Sequence, residues 1–318
     1  MLGEIMQRHG VKGSIEDFHK AVNITFHKYE SEIYDQGHKD MWESLPRQFA
    51  LLIQDWLDCS PDPPEHIDVL DVGCGTGLAT HLLLNSPIGL RIRSIALLDT
   101  SSEMLQRASE RAAQWNIPYT CHEGTIQSLD GKQGFDLIVS CSVLHHIPDL
   151  RSFLRTLCAL HKRGGVFLHL QDPNGDHLRD PELTKRMAKF SRPPEALARF
   201  GPKRILGRVV RQVTGKQADD YISKANRDLI RQEVIRRPLS VEEIFKIVDI
   251  HVQDGAGVSL NSMQEWMDGY ESVARRSYGF FGKLASTLPP ADARTEAALI
   301  EQHSLNGFYI GATWRQRF

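Results

Sequence analysis

The sequence predicts an α/β fold in which a mostly parallel sheet is covered by helices on both faces. From Ile67 onward, short apolar runs with β-branched residues alternate with stretches whose apolar residues recur at helical spacing. Strands that alternate with helices form parallel sheets, because each helix packs back onto the sheet between two strands. Five such strands are predicted, at Ile67–Val72, Ile95–Asp99, Tyr119–His122, Phe135–Ser140 and Gly165–Leu170.

Helical segments are predicted on both sides of this alternating region. Residues 1–60 carry two amphipathic patterns and are interpreted as an N-terminal helical lid, which Ser60–Pro64 separates from a core at residues 61–174. Residues 175–239 interrupt the alternation and are interpreted as an inserted helical cap. Residues 240–318 are expected to return to the core.

The last part of the chain is predicted to add the remaining elements of the sheet. Ser240 begins a capping-box pattern that opens a helix, and Ile250–Gln253 is predicted as a short strand. The aromatic-rich stretch 263–281 is predicted to be helical, and Phe308–Trp314 is predicted to be the final strand. The sixth strand has no clear position in the sequence.

The bulk composition is that of a soluble globular protein. Hydrophobic residues make up 41% and charged residues 25% of the 318 residues, and the net charge is −2. No apolar run approaches the ~18 residues that a membrane span needs, and residues 1–12 lack the apolar core of a signal peptide. The five cysteines are scattered, which is typical of reduced thiols. We therefore expect a cytoplasmic protein without a membrane partner.

A glycine-rich turn lies between the first predicted strand and the helix that follows it. The spacing Gly73-x-Gly75-x-Gly77, shortly after Asp71, lets the backbone approach a ligand at the positive N-terminal end of that helix. Asp99 ends the next strand, where a carboxylate can accept hydrogen bonds from ribose hydroxyls. The spacing differs from the G-x-G-x-x-G pattern of dinucleotide sites, so a nucleoside without a diphosphate is favoured over NAD.

These residues carry a resemblance to a known family. The stretch Asp71-Val72-Gly73-Cys74-Gly75-Thr76-Gly77 followed by Asp99 resembles motif I and the acidic loop of class I S-adenosylmethionine (SAM)-dependent methyltransferases. The resemblance covers about residues 60–175 and is of the small-molecule, natural-product type. It implies a three-layer, Rossmann-like fold with a mostly parallel seven-stranded sheet, and it implies SAM as the cofactor.

The resemblance also implies which residues bind the cofactor. Thr125 and Ile126, after the third strand, match the positions that meet adenine, although the family more often has an acid at the position of Thr125. Ser140 and Cys141, at the end of the fourth strand, match the loop beside the reactive sulfonium. The full set of expected cofactor-binding residues is Asp71, Gly73, Cys74, Gly75, Gly77, Asp99, Thr100, Met104, Thr125, Ile126, Ser140 and Cys141.

A histidine pair after the fourth strand and an acid after the fifth are the candidate catalytic residues. Transfer to a hydroxyl needs a base, and an imidazole has a suitable pKa. His145, His146 and Asp172 resemble the constellation of natural-product O-methyltransferases, including those that act on sugars. The Leu-His-His-x-Pro pattern also occurs in enzymes that methylate carbon or nitrogen, where an imidazole mainly packs. No metal is expected, because metal-dependent O-methyltransferases resemble one another in an Asp directly after the fourth strand and this chain has none; ligation of a metal by His145, His146 and Asp172 is the less favoured alternative.

Four further residues are candidates for binding the acceptor, which is expected to be a small molecule with a hydroxyl oxygen. Three of them, Tyr34, Trp42 and Arg47, belong to the lid, and Tyr278 belongs to the aromatic-rich stretch. Residues 175–239, with sixteen Lys or Arg and half as many acidic residues, leave a tRNA or protein methyltransferase open, although no RNA-binding motif is present. A C- or N-methyltransferase and a non-catalytic SAM-binding protein also stay open, as does the oligomeric state.

Overall fold

Seven strands form one sheet at the centre of the structure. The computed structural model describes residues 1–60, 63–129, 134–190, 221–253 and 255–317. The strands are β1 (Ile67–Val72), β2 (Ile92–Asp99), β3 (Tyr119–Glu123), β4 (Phe135–Cys141), β5 (His161–Pro173), β6 (Tyr270–Tyr278) and β7 (Tyr309–Gln316).

The order of the strands in the sheet is β3-β2-β1-β4-β5-β7-β6. Strands β1 to β5 run parallel to one another, whereas β7 is antiparallel to both β5 and β6. This topology confirms the mostly parallel seven-stranded sheet, and it supplies the sixth strand that the sequence left unplaced. The carboxyl ends of β1, β2, β4 and β5 therefore meet along one edge of the sheet, where ligands of such folds bind.

Helices cover the sheet and extend beyond it. The described helices are α1 (Leu2–His9), α2 (Ile15–Glu30), α3 (Tyr34–Gly37), α4 (Lys39–Asp58), α5 (Leu78–Leu84), α6 (Ser102–Ala112), α7 (Leu150–Ala159), α8 (Pro181–Ala188), α9 (221–231), α10 (Val241–Val248), α11 (Ile250–Gln253), α12 (Leu260–Trp266) and α13 (Pro290–Glu301). Among the described residues, none of these helices has the length and apolar character needed to cross a membrane.

The sheet lies between two helical layers, because successive residues of a strand point to opposite faces. Val69 of β1 packs in one apolar core with Ile53 of α4 and Leu83 of α5. Its neighbour Leu70 packs in a second core with Leu154 of α7 and with residues of α12. The predicted three-layer α/β architecture is thereby confirmed.

A third apolar core joins helices from both ends of the chain. Phe18, Val22 and Phe26 of α2 pack with Leu229 of α9 and with Ile247 of α10. The predicted N-terminal lid and the second part of the predicted insert therefore share one core. Residues 191–220 of that insert lie outside the described residues, so the domain boundaries proposed from the sequence stay a prediction.

Two sequence predictions in the C-terminal part are wrong. Ile250–Gln253 forms the one-turn helix α11 and not a strand. The prediction failed because a segment of four residues with two apolar positions fits the periodicity of a helix as well as that of a strand. The stretch 263–281 is not continuously helical: α12 ends at Trp266, Gly269 takes a positive φ of 77°, and β6 follows. The aromatic residues of this stretch thus pack partly as strand residues.

Two local predictions are confirmed. The Ser240 hydroxyl accepts the backbone N–H of Glu243, and the Glu243 carboxylate accepts the backbone N–H of Ser240, so the capping box opens α10. The five cysteines are all free thiols. Asp249 is the single residue between α10 and α11.

A half-buried histidine at the start of β5 links the sheet to its β6 edge. Nδ1 of His161 lies 2.7 Å from the Tyr270 hydroxyl, and Nε2 lies 2.9 Å from the carbonyl oxygen of Val166. Burial lowers the pKa of His161 from 6.5 to about 4, because the charged ring would lose its hydration. The neutral ring therefore stabilises the fold fully above about pH 6.5, and this contribution is lost progressively as the pH falls from about 6.5 to 4.

We predict that His161 accounts for about 2 kcal/mol of the stability lost between pH 7 and pH 5. Urea unfolding at both pH values measures the loss for the natural chain and for His161→Gln, whose side chain does not titrate. The variant should lose about 2 kcal/mol less on acidification. His66→Gln, at an exposed position, is the control and should behave like the natural chain. Equal acid sensitivity of all three proteins would contradict the assignment.

Candidate functional site

The glycine turn after β1 has the backbone geometry that the sequence predicts. Gly73, Gly75 and Gly77 take φ angles of 64°, 53° and 88°, a region that favours glycine. A Cβ on Gly73 would lie 2.6 Å from a methyl carbon of Val143, so the turn packs tightly against the segment after β4. A Cβ on Gly75 would meet nothing within 4 Å, so this glycine faces open space.

Asp99 fastens the glycine turn to the end of β2. One of its oxygens, Oδ2, accepts the backbone N–H of Gly75 at 2.9 Å, and Oδ1 accepts the N–H of Ser101 at 2.9 Å. Burial raises the pKa of Asp99 in spite of these hydrogen bonds. The carboxylate has remaining lone pairs, and it lies at the strand end where a ribose acceptor is expected.

Two buried polar atoms at the ends of β1 and β4 have no hydrogen-bond partner among the described residues. Oδ2 of Asp71 accepts the N–H and the hydroxyl of Thr80, at 3.2 Å and 2.7 Å, but Oδ1 of Asp71 has no partner, and neither does Oγ of Ser140. Burial raises the pKa of Asp71 to about 7. Buried polar atoms are usually satisfied, so unpartnered ones at a strand end are consistent with a ligand that supplies the partner.

The other expected cofactor residues surround this turn. Thr100 follows Asp99, and Met104 lies buried on the first turn of α6. Thr125 is half-buried after β3, and Ile126 is buried in the core that also contains Leu98. The remaining two residues are Cys74, which is buried in the glycine turn, and Cys141, which ends β4 and whose thiol pKa is raised by burial.

His145 and Asp172 form a hydrogen-bonded pair at the ends of β4 and β5. Oδ1 of Asp172 accepts the backbone N–H of His145 at 3.2 Å and lies 2.8 Å from Nδ1 of its ring. Ser142 and Gln171, which precede the two residues, take φ angles of 62° and 68°, a conformation that non-glycine residues adopt only under constraint. This pairing fixes the tautomer of His145, since Nδ1 donates to the carboxylate and Nε2 keeps its lone pair.

His146 faces a second carboxylate that the sequence did not single out. Its Nδ1 lies 2.8 Å from the carbonyl oxygen of Val248 and 3.4 Å from Oδ1 of Asp249. Nε2 of His145 lies 3.9 Å from the same oxygen of Asp249. Burial and the charges of neighbouring histidines lower the pKa of His146 well below its ordinary value, whereas burial raises the pKa of Asp249.

Three residues of the N-terminal helices complete this side of the site. The His27 ring meets the His146 ring edge-to-face with centroids 5.3 Å apart, and its Nδ1 lies 3.0 Å from Glu30. Nε2 of His38 lies 3.5 Å from the other oxygen of Glu30. Burial would raise the pKa of Glu30, but the two imidazoles outweigh it and lower that pKa to about 2. Glu30 is therefore a carboxylate held between two imidazoles.

The four predicted acceptor-binding residues lie in different places. Tyr34 is half-buried beside His38 of the polar cluster, with ring centroids 4.5 Å apart. Tyr278 is buried, and its hydroxyl donates to Gln171 at 2.9 Å, below the site. Trp42 packs under the guanidinium of Arg111 on the outer side of the glycine turn, and Arg47 is exposed on α4, where it pairs with Glu301. Neither of the last two reaches the histidine cluster.

The N-terminal helices are also tied directly to the glycine turn. Asp35 accepts the Thr76 hydroxyl at 2.7 Å through one oxygen and Nη2 of Arg111 at 2.7 Å through the other. Arg111 also donates to the backbone carbonyl of Thr76. These contacts hold the segment from His27 to His38 over the carboxyl edge of the sheet.

Sequence reasoning missed the residues that come from outside the core. His27 and Glu30 are three residues apart on an amphipathic helix, and this spacing alone could have placed them on one face. Asp249 had no comparable signal, because the adjoining residues were predicted as a strand.

Comparison with known proteins identifies the family. A family model described as "Methyltransferase domain" matches residues 64–226, just over half of the chain. The ubiquinone biosynthesis O-methyltransferase of Methylobacterium nodulans is 30% identical over 108 residues, which are 34% of this chain and 41% of that protein. The malonyl-[acyl-carrier protein] O-methyltransferase of Acetivibrio thermocellus is 31% identical over 127 residues, or 40% and 42% of the two chains. The match thus spans about two fifths of these relatives.

Solved structures are similar to the chain at lower identity. The N-methyltransferase NodS from Bradyrhizobium japonicum, in complex with S-adenosyl-L-homocysteine, is 12% identical, with a TM-score of 0.42 over 85% of this chain and 86% of that chain. The strand order and the family match agree with the resemblance that the glycine turn and Asp99 carry. The chain belongs to the methyltransferase-domain family, whose members use SAM as the methyl donor.

Proposed function

We propose that the chain transfers a methyl group from SAM to a hydroxyl oxygen of a small molecule. The observation that carries this proposal is the His145–Asp172 pair, which presents Nε2 of an oriented imidazole at the end of β4, the strand next to the glycine turn. SAM supplies a methyl group that is already activated on a sulfonium. The chain then has two tasks, which are to align the acceptor and to remove its proton.

The residues at the ends of β1 and β2 fit the donor. The open space at Gly75, the unpartnered oxygen of Asp71 and the carboxylate of Asp99 form a cradle of suitable chemistry for a nucleoside with an amino-acid tail. Asp99 would accept the ribose hydroxyls, and the backbone of the glycine turn would contact the tail. Thr125 and Ile126 remain the proposed contacts of the adenine ring, and Ser140 and Cys141 those of the methionyl part.

The acceptor would lie on the histidine side of this cradle. Its hydroxyl would give its proton to Nε2 of His145 as the oxygen–carbon bond forms and the carbon–sulfur bond breaks, leaving S-adenosylhomocysteine. Asp172 is a positioning residue, because it contacts Nδ1 and stabilises the imidazolium. The fixed tautomer favours this role, since a base needs its lone pair free before the acceptor binds.

Two observations favour oxygen and a polar acceptor. The curated relatives described above are both named O-methyltransferases. The polar wall beside the histidine pair contains His27, Glu30, His38 and Asp249, of which His27 contacts His146 and Asp249 lies near both histidines, so an acceptor with several polar groups would find partners there. The experiment is incubation with methyl-labelled SAM and a panel of phenols, catechols, sugars and amino-bearing analogues of the same compounds. Labelled O-methyl products would support the proposal, and labelled N- or C-methyl products would contradict it.

We predict that His145→Ala lowers kcat on the acceptor found in that panel by about 10²–10⁴-fold, because a positioned general base contributes this much. The Kd for SAM, measured by calorimetry, should change less than about threefold. Added imidazole should restore part of the rate, since it can replace the missing base. The exposed-site variant His66→Gln is the control. A kcat of His145→Ala within threefold of the natural value would exclude the base role.

We predict that Gly75→Ala weakens SAM binding at least about tenfold, which is ~1.4 kcal/mol. The new methyl group would occupy the open space of the proposed donor cradle. The matched control is Gly269→Ala, at an exposed turn whose glycine also has a positive φ and open surroundings. Both variants should lose about 1–2 kcal/mol of stability through backbone strain. Equal SAM affinity of the two variants would place the donor elsewhere.

A further inference from the structure

We propose that His145, His146 and Asp249 bind a divalent transition-metal ion, such as Zn²⁺, beside the donor cradle. The proposal that an ion binds is argued from the three side chains alone. The proposal that this ion takes part in methyl transfer rests on the proposed function. The sequence led us to expect no metal, because no Asp follows β4 directly. The third ligand proposed here, Asp249, comes instead from the turn after α10. The structure brings that carboxylate to the histidine pair.

The spacing of the three groups suits a shared ion. One donor atom from each residue can be chosen so that all three atoms lie within 4.8 Å of one another. Oδ1 of Asp249 lies 3.4 Å from Nδ1 of His146 and 3.9 Å from Nε2 of His145. Ligands bound at 2.0–2.2 Å lie about 3.0–3.6 Å apart around one ion. The 3.4 Å distance is to the ring nitrogen of His146 that faces Val248, so binding through Nε2 of His146 requires the donor atoms, which start within 4.8 Å of one another, to close in by rotation of the His146 and Asp249 side chains.

The hydrogen bonds around the two imidazoles also suit ligation. Asp172 accepts from Nδ1 of His145 and so leaves the lone pair of Nε2 free toward Asp249. A carboxylate behind a ligating histidine is a common partner in metal sites, where it orients the ring and raises its basicity. The Val248 carbonyl in the same way takes the Nδ1 proton of His146, so an ion bound through Nε2 of His146 would keep this hydrogen bond.

The charge at Asp249 favours a cation as well. Its side chain is 18% exposed, and its ion-pair partners within the described part of the chain are only the two histidines. No Lys or Arg among the described residues forms a salt bridge with it. A largely buried carboxylate without a cationic partner is costly, and an ion with two positive charges compensates it.

The ligand set selects the kind of ion. Two imidazoles and one carboxylate suit Zn²⁺, Fe²⁺, Co²⁺ or Ni²⁺, whereas Mg²⁺ and Ca²⁺ prefer oxygen ligands. Three protein ligands leave coordination positions open for a substrate atom. With the ion bound, the acceptor hydroxyl would coordinate it and lose its proton to water, and its oxygen would then take the methyl carbon as the carbon–sulfur bond breaks. Nε2 of His145 would then be a ligand in place of the proton acceptor.

Metal binding can be measured without donor or acceptor. Protein freed of metal with a chelator is titrated with Zn²⁺ against a chromophoric competitor, and with Co²⁺ while its visible absorption is recorded. We expect one ion per chain and a cobalt spectrum of nitrogen and oxygen ligation. Asp249→Asn and His146→Gln should each weaken Zn²⁺ binding at least tenfold. His38→Gln, in the same wall but outside the triad, is the matched control and should bind as the natural chain does.

The outcomes separate this inference from the proposed function. Absence of a one-to-one complex, or equal Zn²⁺ affinity in Asp249→Asn, His146→Gln and the control, would overturn the metal site. Circular dichroism checks that each variant is folded. If Asp249→Asn does not fold, the cobalt absorption spectrum of His146→Gln tests the site, because the loss of one nitrogen ligand should change that spectrum. Metal-free protein that still methylates hydroxyls at the full rate would also overturn the catalytic role of the ion, while the proposed methyl transfer would stand.

Discussion

A fully buried carboxylate at the end of β5 determines the geometry of the histidine side of the site. Asp172 is 0% exposed, and it accepts both the backbone N–H and the ring nitrogen of His145. Removing the partner of a buried charge costs about 3–5 kcal/mol, so this contact constrains the chain strongly. The positive φ angles of Ser142 and Gln171 are the local cost of bringing the two strand ends together.

The helical cover makes the second half of the site. His27, Glu30 and His38 come from the N-terminal helices, and Asp249 comes from the turn after α10. These segments share an apolar core, in which Phe26 of α2 packs with Ile247 of α10. The packing energy of that core therefore keeps the polar groups of both segments over the strand ends. Asp35 adds a polar contact by linking the same cover to Thr76 in the glycine turn.

The glycine turn and its contact with Asp99 could be predicted from the sequence because they are local, whereas their role in donor binding stays a prediction. The turn from Gly73 to Gly77 and the acid at Asp99 lie within one strand–helix–strand unit, and their spacing carries the chemistry. The fold class followed from the alternation of strands and helices, whereas β6 was missed because its aromatic residues also fit a helix. His27 and Asp249 could not be foreseen together, since only tertiary packing brings residues so distant in the chain into one cluster.

The two roles proposed for the histidine cluster, as base or as metal ligand, both leave the proposed donor cradle unchanged, because the cradle is built from other residues. Nε2 of His145 can hold either a proton from the acceptor or a metal ion, but not both at once. Asp172 supports either state, because its contact is to the opposite nitrogen of the ring. Under the two proposals, Asp249 would decide between them, because it lies within reach of both histidines and belongs to the cover and not to the sheet. The apolar core that packs α2 on α10 would then influence the chemistry of the site through the position of Asp249.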